Sequence, residues 1–131
     1  LELGYRTSIF ARTGWCVLCA ELRLSPGKRE EIEAAMQELM ARRVEKQPLE
    51  YPSAGSAFKR PQGAFAGALI QQCGLRGARV GGAAITEKHC GFIVNLGGAT
   101  CADVLALADR VCRTVKEQTG YTLEKEIRVV E

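Results

Sequence analysis

The longest periodic stretch of the chain runs from Lys28 to about Lys46. Ile32, Met36, Leu39, Met40 and Val44 recur there at helical spacing, with Glu30, Glu31 and Glu33 set elsewhere. Acidic residues at its start and Arg42, Arg43 and Lys46 at its end complement the helix dipole. Pro48 stops it. The spacing predicts a helix whose methionines pack into a core. A second helix is predicted from Ala64 to Cys73, with Phe65, Leu69 and Ile70 inward and Gly74 as a C-cap. A third opens at Thr100, where Asp103 three residues on makes a capping-box-like start. It carries Val104, Leu107, Ala108, Val111 and Val115 on one face and ends near Gly120.

Strand signals fall between these helices. Val17 to Leu24 alternates at its end, with Ala20, Leu22 and Leu24 set against Glu21 and Arg23, and Ser25-Pro26-Gly27 stops it. Gly77 to Ile85 reads as a strand with glycines where another backbone or a ligand comes near. Phe92 to Val94 reads as a short buried strand between the polar turn Thr86–Cys90 and a loop over Leu96–Ala99. Thr122 to Val130 closes the pattern, with Leu123, Ile127 and Val129 on one face and Glu124, Glu126 and Arg128 on the other. The predicted fold class is α+β, a two-layer α/β sandwich of about four strands and three helices.

Composition fits that picture. The chain has 131 residues, 47% hydrophobic and 25% charged, in the globular range. Its net charge of +3 suits a small anionic ligand and is too weak and scattered for nucleic acid. No long apolar run predicts a membrane span. The first residue is Leu1, and the chain is expected to be a piece of a longer protein in a cytoplasmic setting. Cys16 and Cys19 form a Cys-x-x-Cys, but in a strand their sulfurs would diverge. With His89 the only histidine and no second Cys-x-x-Cys, no metal site is expected. All six cysteines are read as small buried hydrophobes in a reducing compartment.

The candidate chemistry centres on Tyr51-Pro-Ser-Ala-Gly-Ser-Ala-Phe-Lys-Arg-Pro61. Pro52 and Pro61 fix φ at its ends, and Ser53, Gly55 and Ser56 favour a turn. A hydroxyl, Ser56, is thereby held on a stiff loop close to Lys59 and Arg60. The alternative is an ordinary loop in which Ser56 satisfies its own backbone. Arg6 and Glu126 are the other two polar positions that stand out, and spacing alone does not bring them together.

Several motifs in order along essentially the whole chain resemble the UDP-N-acetylenolpyruvoylglucosamine reductase (MurB) family, in its C-terminal part. They are Gly4-Tyr5-Arg6-Thr7-Ser8-Ile9-Phe10, Lys46 to Pro61, Ala66-Gly-Ala-Leu-Ile70, Gly81-Gly-Ala83, Glu87-Lys-His89, Phe92-Ile-Val-Asn95 and Glu124-Lys-Glu-Ile-Arg128. The resemblance implies that residues 1–24 end an incomplete FAD-binding domain, 25–48 form a connecting helix and 49–131 form a substrate-binding domain. It implies a flavoenzyme that uses FAD and NADPH to reduce the enolpyruvyl ether of a UDP-sugar, UDP-N-acetylglucosamine enolpyruvate, to a peptidoglycan precursor. It implies Ser56 as proton donor and Arg6 and Glu126 as its catalytic companions, with Arg128, His89, Lys59 and Arg60 toward the substrate. His89 as a turn or packing residue, and Glu126–Arg128 as a surface pair, stay open as alternatives. No G-x-G-x-x-G or G-x-x-x-x-G-K is present, so no nucleotide fingerprint is read here. The resemblance implies that the flavin is held mainly by the family's N-terminal region, and the chain alone is expected to be inactive.

Those residue types suit the implied reaction. Hydride addition to the alkene spreads negative charge into the substrate carboxylate. Arg6 can take that carboxylate with its planar fork. Glu126 can help only in its protonated form, and Ser56 would deliver the proton with Lys59 or a water assisting. Two other classes stand beside this one: a UDP-sugar or phosphate-binding module without catalysis, and a structural interaction domain in which the polar positions are accidental.

Overall fold

The structure, a computed structural model, describes residues 1–130. The chain divides into two units, Leu1–Ala34 and Ala35–Glu131.

In the first unit Gly4 and Thr7 pair across a two-residue turn, with Gly4 N–H donating to Thr7 O at 3.0 Å and Thr7 N–H to Gly4 O at 3.3 Å. A short helix, α1 (Ile9–Thr13), follows and ends at Gly14, whose φ of 67° is left-handed. The strand predicted over Val17–Leu24 does not form. A strand needs a neighbouring backbone to take up its N–H and C=O groups, and among the described residues this unit offers none. Val17 and Leu18 are exposed accordingly.

Helix α2 (Arg29–Lys46) forms where the period predicts it. Side-chain pairs one turn apart decorate it, among them Arg29–Glu33 at 2.7 Å and Arg42–Glu38. Its predicted core role is corrected: no residue of α2 is buried, and Met36 is 65% exposed. The helical period follows from backbone sterics, whereas burial requires a second apolar surface, and none among the described residues covers that stripe.

The second unit is built on an antiparallel sheet of β1 (Ser53–Ser56), β2 (Arg79–Val80), β3 (Ala83–Ile85) and β4 (Phe92–Asn95), in the order β1-β4-β3-β2. Helices α3 (Ala66–Gln72) and α4 (Cys101–Thr119) form the second layer. Ala83, Ile85 and Ile93 of the sheet pack with Leu69, Ile70, Leu107, Val111 and Val115 of the helices, which gives the α+β sandwich. Gly74 follows α3 at φ 69°, as the C-cap pattern predicts. Phe65, however, lies at the N-cap of α3 and is 61% exposed, not inward.

Three strand expectations change. The single strand read over Gly77–Ile85 is a hairpin, because Gly81 and Gly82 form a two-residue turn that pairs Val80 with Ala83. The expectation that a backbone comes close to these glycines holds: a Cβ on Gly82 would lie 2.3 Å from Gly97 O. The stretch around Ser53–Ser56, read as a loop, supplies β1. The terminal segment Thr122–Val130 makes one bridge, Phe58 to Lys125, instead of a strand. Continued at this register, Ile127 and Arg128 would lie against Ser56 and Gly55, where β1 bulges and its ladder to β4 is interrupted.

Of the six cysteines only Cys90 is buried; Cys16, Cys19 and Cys101 are exposed, and Cys73 and Cys112 lie between. The reading of all six as buried hydrophobes is therefore corrected, since exposed or half-exposed surface segments carry most of them. Among the described residues no group of three or more His, Cys, Asp or Glu could hold a metal ion, and no helix is long and apolar enough to cross a membrane.

Helix α4 begins with the predicted capping box. Thr100 Oγ1 accepts from Asp103 N–H at 3.1 Å, and Asp103 Oδ2 accepts from Thr100 N–H at 2.9 Å. The Asp103 carboxyl is held below its ordinary value, first by the Thr100 backbone N–H and then by the Thr100 hydroxyl. A carboxyl with a lowered folded pKa contributes stability above its unfolded value of about 3.9 and loses it as pH falls through the folded one. Urea unfolding of the wild type should thus weaken more between about pH 5 and pH 2 than that of Asp103→Asn. Parallel pH profiles would remove Asp103 from this role.

Candidate functional site

Ser56 stands at the end of β1, in register with Phe92 of β4. Three residue steps, from Ser53 to Ser56, span only two on β4, from Val94 to Phe92. The extra residue is a bulge, with Gly55 at φ 84° and its N–H donating to Ser53 Oγ at 3.3 Å. Residues three apart on a regular strand point to opposite faces. The bulge removes one step, so Ser53 and Ser56 both turn to the face that carries Phe92 and Val94. A residue with a side chain would be strained at the φ of Gly55, which fixes why glycine stands there.

On that face an open groove is lined by Ser56, Phe92, Tyr51, Leu49, Gln47 and Arg43, among others. Arg43 donates from Nε to Gln47 Oε1 at 3.2 Å. The groove therefore offers a hydroxyl, an aromatic floor and a guanidinium at one rim. The sequence places Arg43 at the end of a helix, where it complements the dipole, and nothing in its local pattern marks it as groove-lining.

The terminal segment is brought to the same strand. Ala57 N–H donates to Gly91 O at 2.8 Å, Lys59 N–H to Glu124 O at 2.9 Å, and Glu126 N–H to Ala57 O at 2.8 Å. Glu126 is thus set beside Ala57, one residue from Ser56, but it is not among the residues that line the Ser56 groove. It is half-buried, and its Oε2 is shut off from solvent. Ion pairs accompany the two preceding residues: Lys59 to Glu124 at 2.9 Å and Lys125 to Asp109 at 2.6 Å. The hydrogen bond and charge of Lys59 hold the Glu124 carboxyl below its ordinary value.

Lys59 Nζ meets Glu124 and not Ser56. Arg60 is exposed, its guanidinium 4.0 Å from the Phe65 ring centroid. His89 is exposed; its Nδ1 accepts from Gly91 N–H at 3.1 Å, and its ring meets Phe92 edge-on at 5.1 Å. Arg128 is exposed, beyond the last paired residue. Arg6 belongs to the other unit, at the tip of the Gly4–Thr7 turn, with its guanidinium 5.8 Å from the Tyr5 centroid. Its φ is +56°, a left-handed conformation that costs a non-glycine residue energy and is concentrated at functional sites.

Gly81 and Gly82 are bare because protein fills the space: a Cβ on Gly81 would lie 2.5 Å from Asp103, and one on Gly82 2.5 Å from Ala99 N.

Residues 47–130 match the family model described as UDP-N-acetylenolpyruvoylglucosamine reductase, C-terminal domain. The chain is 56% identical over 130 residues to the UDP-N-acetylenolpyruvoylglucosamine reductase of Lachnoclostridium phytofermentans, covering 99% of this chain and 42% of that protein. It is 52% identical to the same-named protein of Geobacillus kaustophilus over 99% of this chain and 43% of that one. The crystal structure of the reductase (MurB) from Thermus caldophilus matches with a TM-score of 0.65 and 42% identity, over 81% of this chain and 37% of that one. The chain thus spans about two-fifths of the length of these curated relatives.

Proposed function

Because the chain belongs to the UDP-N-acetylenolpyruvoylglucosamine reductase family, we propose that it is the substrate-facing part of a cytoplasmic enzyme that reduces the enolpyruvyl ether of a UDP-sugar. On this reading residues 1–24 end the FAD-binding domain, 25–48 connect and 49–131 bind substrate. FAD, held mainly by the N-terminal region of the full-length protein, would supply the hydride, with NADPH as its reductant. The observation that carries the reading is the bulge that turns Ser56 into a groove while the terminal segment sets Glu126 beside the same strand.

The chemistry of this chain is the handling of charge and proton. Hydride adds to the terminal alkene carbon, and the π pair moves onto the carbon bearing the carboxylate, as an enolate. Arg6 binds that carboxylate through two parallel N–H bonds, which strengthen as charge builds there. Glu126 is assigned a further hydrogen bond to the same anion. The Ser56 hydroxyl gives its proton to the carbon next to the one that took the hydride and regains one from solvent. Arg43 at the groove rim and Arg128, His89, Lys59 and Arg60 farther out serve the anionic parts of the UDP-sugar. No nucleic acid, membrane or metal enters the scheme.

The direct test is NADPH oxidation by the full-length protein with UDP-N-acetylglucosamine enolpyruvate. Oxidation that depends on the UDP-sugar, with one reduced product per NADPH, is expected. Tight binding of the UDP-sugar without oxidation would establish a binding module instead.

A further inference from the structure

We propose that Lys88 is a positioning residue that sets the wall of the Ser56 groove; the assignment rests on that groove being the substrate site. Lys88 lies in the turn between β3 and β4. Its Nζ donates to Val44 O at 3.2 Å and meets the two carboxylate oxygens of Glu50 at 3.0 and 3.2 Å. An ammonium has three donors, so these contacts occupy its full capacity. Val44 is in the last turn of α2, where carbonyls lack intrahelical partners and a cation is favoured by the helix dipole. Glu50 lies past the end of the same helix, its carboxyl held below its ordinary value first by its own backbone N–H and then by Lys88.

Val44 and Glu50 bracket Gln47, Pro48 and Leu49, all of which line the groove with Ser56. One side chain therefore ties both ends of that wall to a single turn. The same turn leads through His89 and Gly91 into Phe92, the groove residue in register with Ser56. The wall and the strand that carries Ser56 are thus held in one arrangement through Lys88. Its side chain is 36% exposed, against 78% for Lys28, which pairs with Glu31 at the start of α2, so solvent screens the clamp less. Lys88 touches neither Ser56 nor Glu126, and its effect passes through the segment it holds.

The test uses the full-length reductase with steady-state kinetics in the UDP-sugar and a thermal midpoint for each variant. Lys88→Ala should raise KM for the UDP-sugar about tenfold, since a small displacement of groove-lining groups is costly in binding, with kcat within about twofold and the midpoint little changed. Lys88→Arg should recover most of the loss, because a guanidinium can reach both partners. Glu50→Gln should raise KM in the same direction. The Lys88→Ala/Glu50→Gln double variant should be no worse than Lys88→Ala alone, as expected for groups acting as one unit. An unchanged KM in Lys88→Ala, or full additivity in the double variant, would overturn the proposal. Should Lys88→Ala fail to fold, an unchanged KM in Glu50→Gln overturns it instead. A wild type that oxidises no NADPH sinks the substrate-site reading, and this proposal with it; a normal wild type beside an indifferent Lys88→Ala sinks the Lys88 assignment alone.

Discussion

Ser56→Ala in the full-length protein is expected to slow UDP-sugar reduction by about a thousandfold, in the range of a lost general acid. The change removes one oxygen from a half-buried side chain at the edge of a bulge. The bulge itself rests on Gly55 and on the Gly55 N–H bond to Ser53 Oγ, neither of which the substitution touches. Folding stability should therefore change little, which separates a chemical loss from a structural one. Rapid-mixing measurements of the two half-reactions decide the role. Flavin reduction by NADPH should run at the wild-type rate, while oxidation of the reduced flavin by the UDP-sugar should stall. Loss of both halves together would assign Ser56 to architecture and not to proton delivery.

Glu126→Ala comes second in expected size, at about a hundredfold or more in the same half-reaction, the cost of removing one donor aimed at developing charge. Glu126 reaches its place through a short run of contacts: Leu123 is buried, Glu124 and Lys125 are ion-paired, and the Glu126 N–H donates to Ala57 O. Because the backbone holds the register, the side chain can be exchanged without moving the segment. Glu126→Gln keeps a donor in the same volume and should recover part of the rate, whereas a carboxylate acting purely through charge would gain nothing from the amide. If glutamine and alanine proved equally slow, the donor role would be lost and a proton-transfer role would take its place.

The parts of this fold that were legible in the sequence are those specified within a few residues. The capping box of Thr100 and Asp103, the buried stripe of Leu107, Ala108, Val111 and Val115 and the glycine after α3 all follow from local chemistry. Gly81-Gly82 was equally local, and a pair of glycines between two apolar runs is a hairpin signal that the strand reading passed over. Other features depend on groups far away in the chain. The exposure of Met36 and Leu39 depends on what packs against α2, not on the period of α2 itself. The short pairing of the terminal segment depends on a bulge about seventy residues earlier.

The candidate site divides in the same way. Ser56, Arg6 and Glu126 stand out as polar positions in the sequence, but only motif resemblance, which carries distant information that spacing does not, joins them into one site. Even so, sequence gave Ser56 a turn where the structure gives it a bulged strand, and it assigned Lys59 to Ser56 where the structure pairs it with Glu124. Arg43, Gln47 and Tyr51 reach the groove because of where α2 ends relative to β1, a relation no local pattern encodes.

The most direct test of the account is a crystal structure of the full-length protein with its UDP-sugar bound. The Ser56 hydroxyl is expected within roughly 3 to 3.5 Å of the enolpyruvyl carbon that bears the carboxylate, with the Glu126 carboxyl hydrogen-bonded to the same end of the ligand. An enolpyruvyl group seated away from the β1 bulge, with Ser56 and Glu126 touching no part of it, would contradict it.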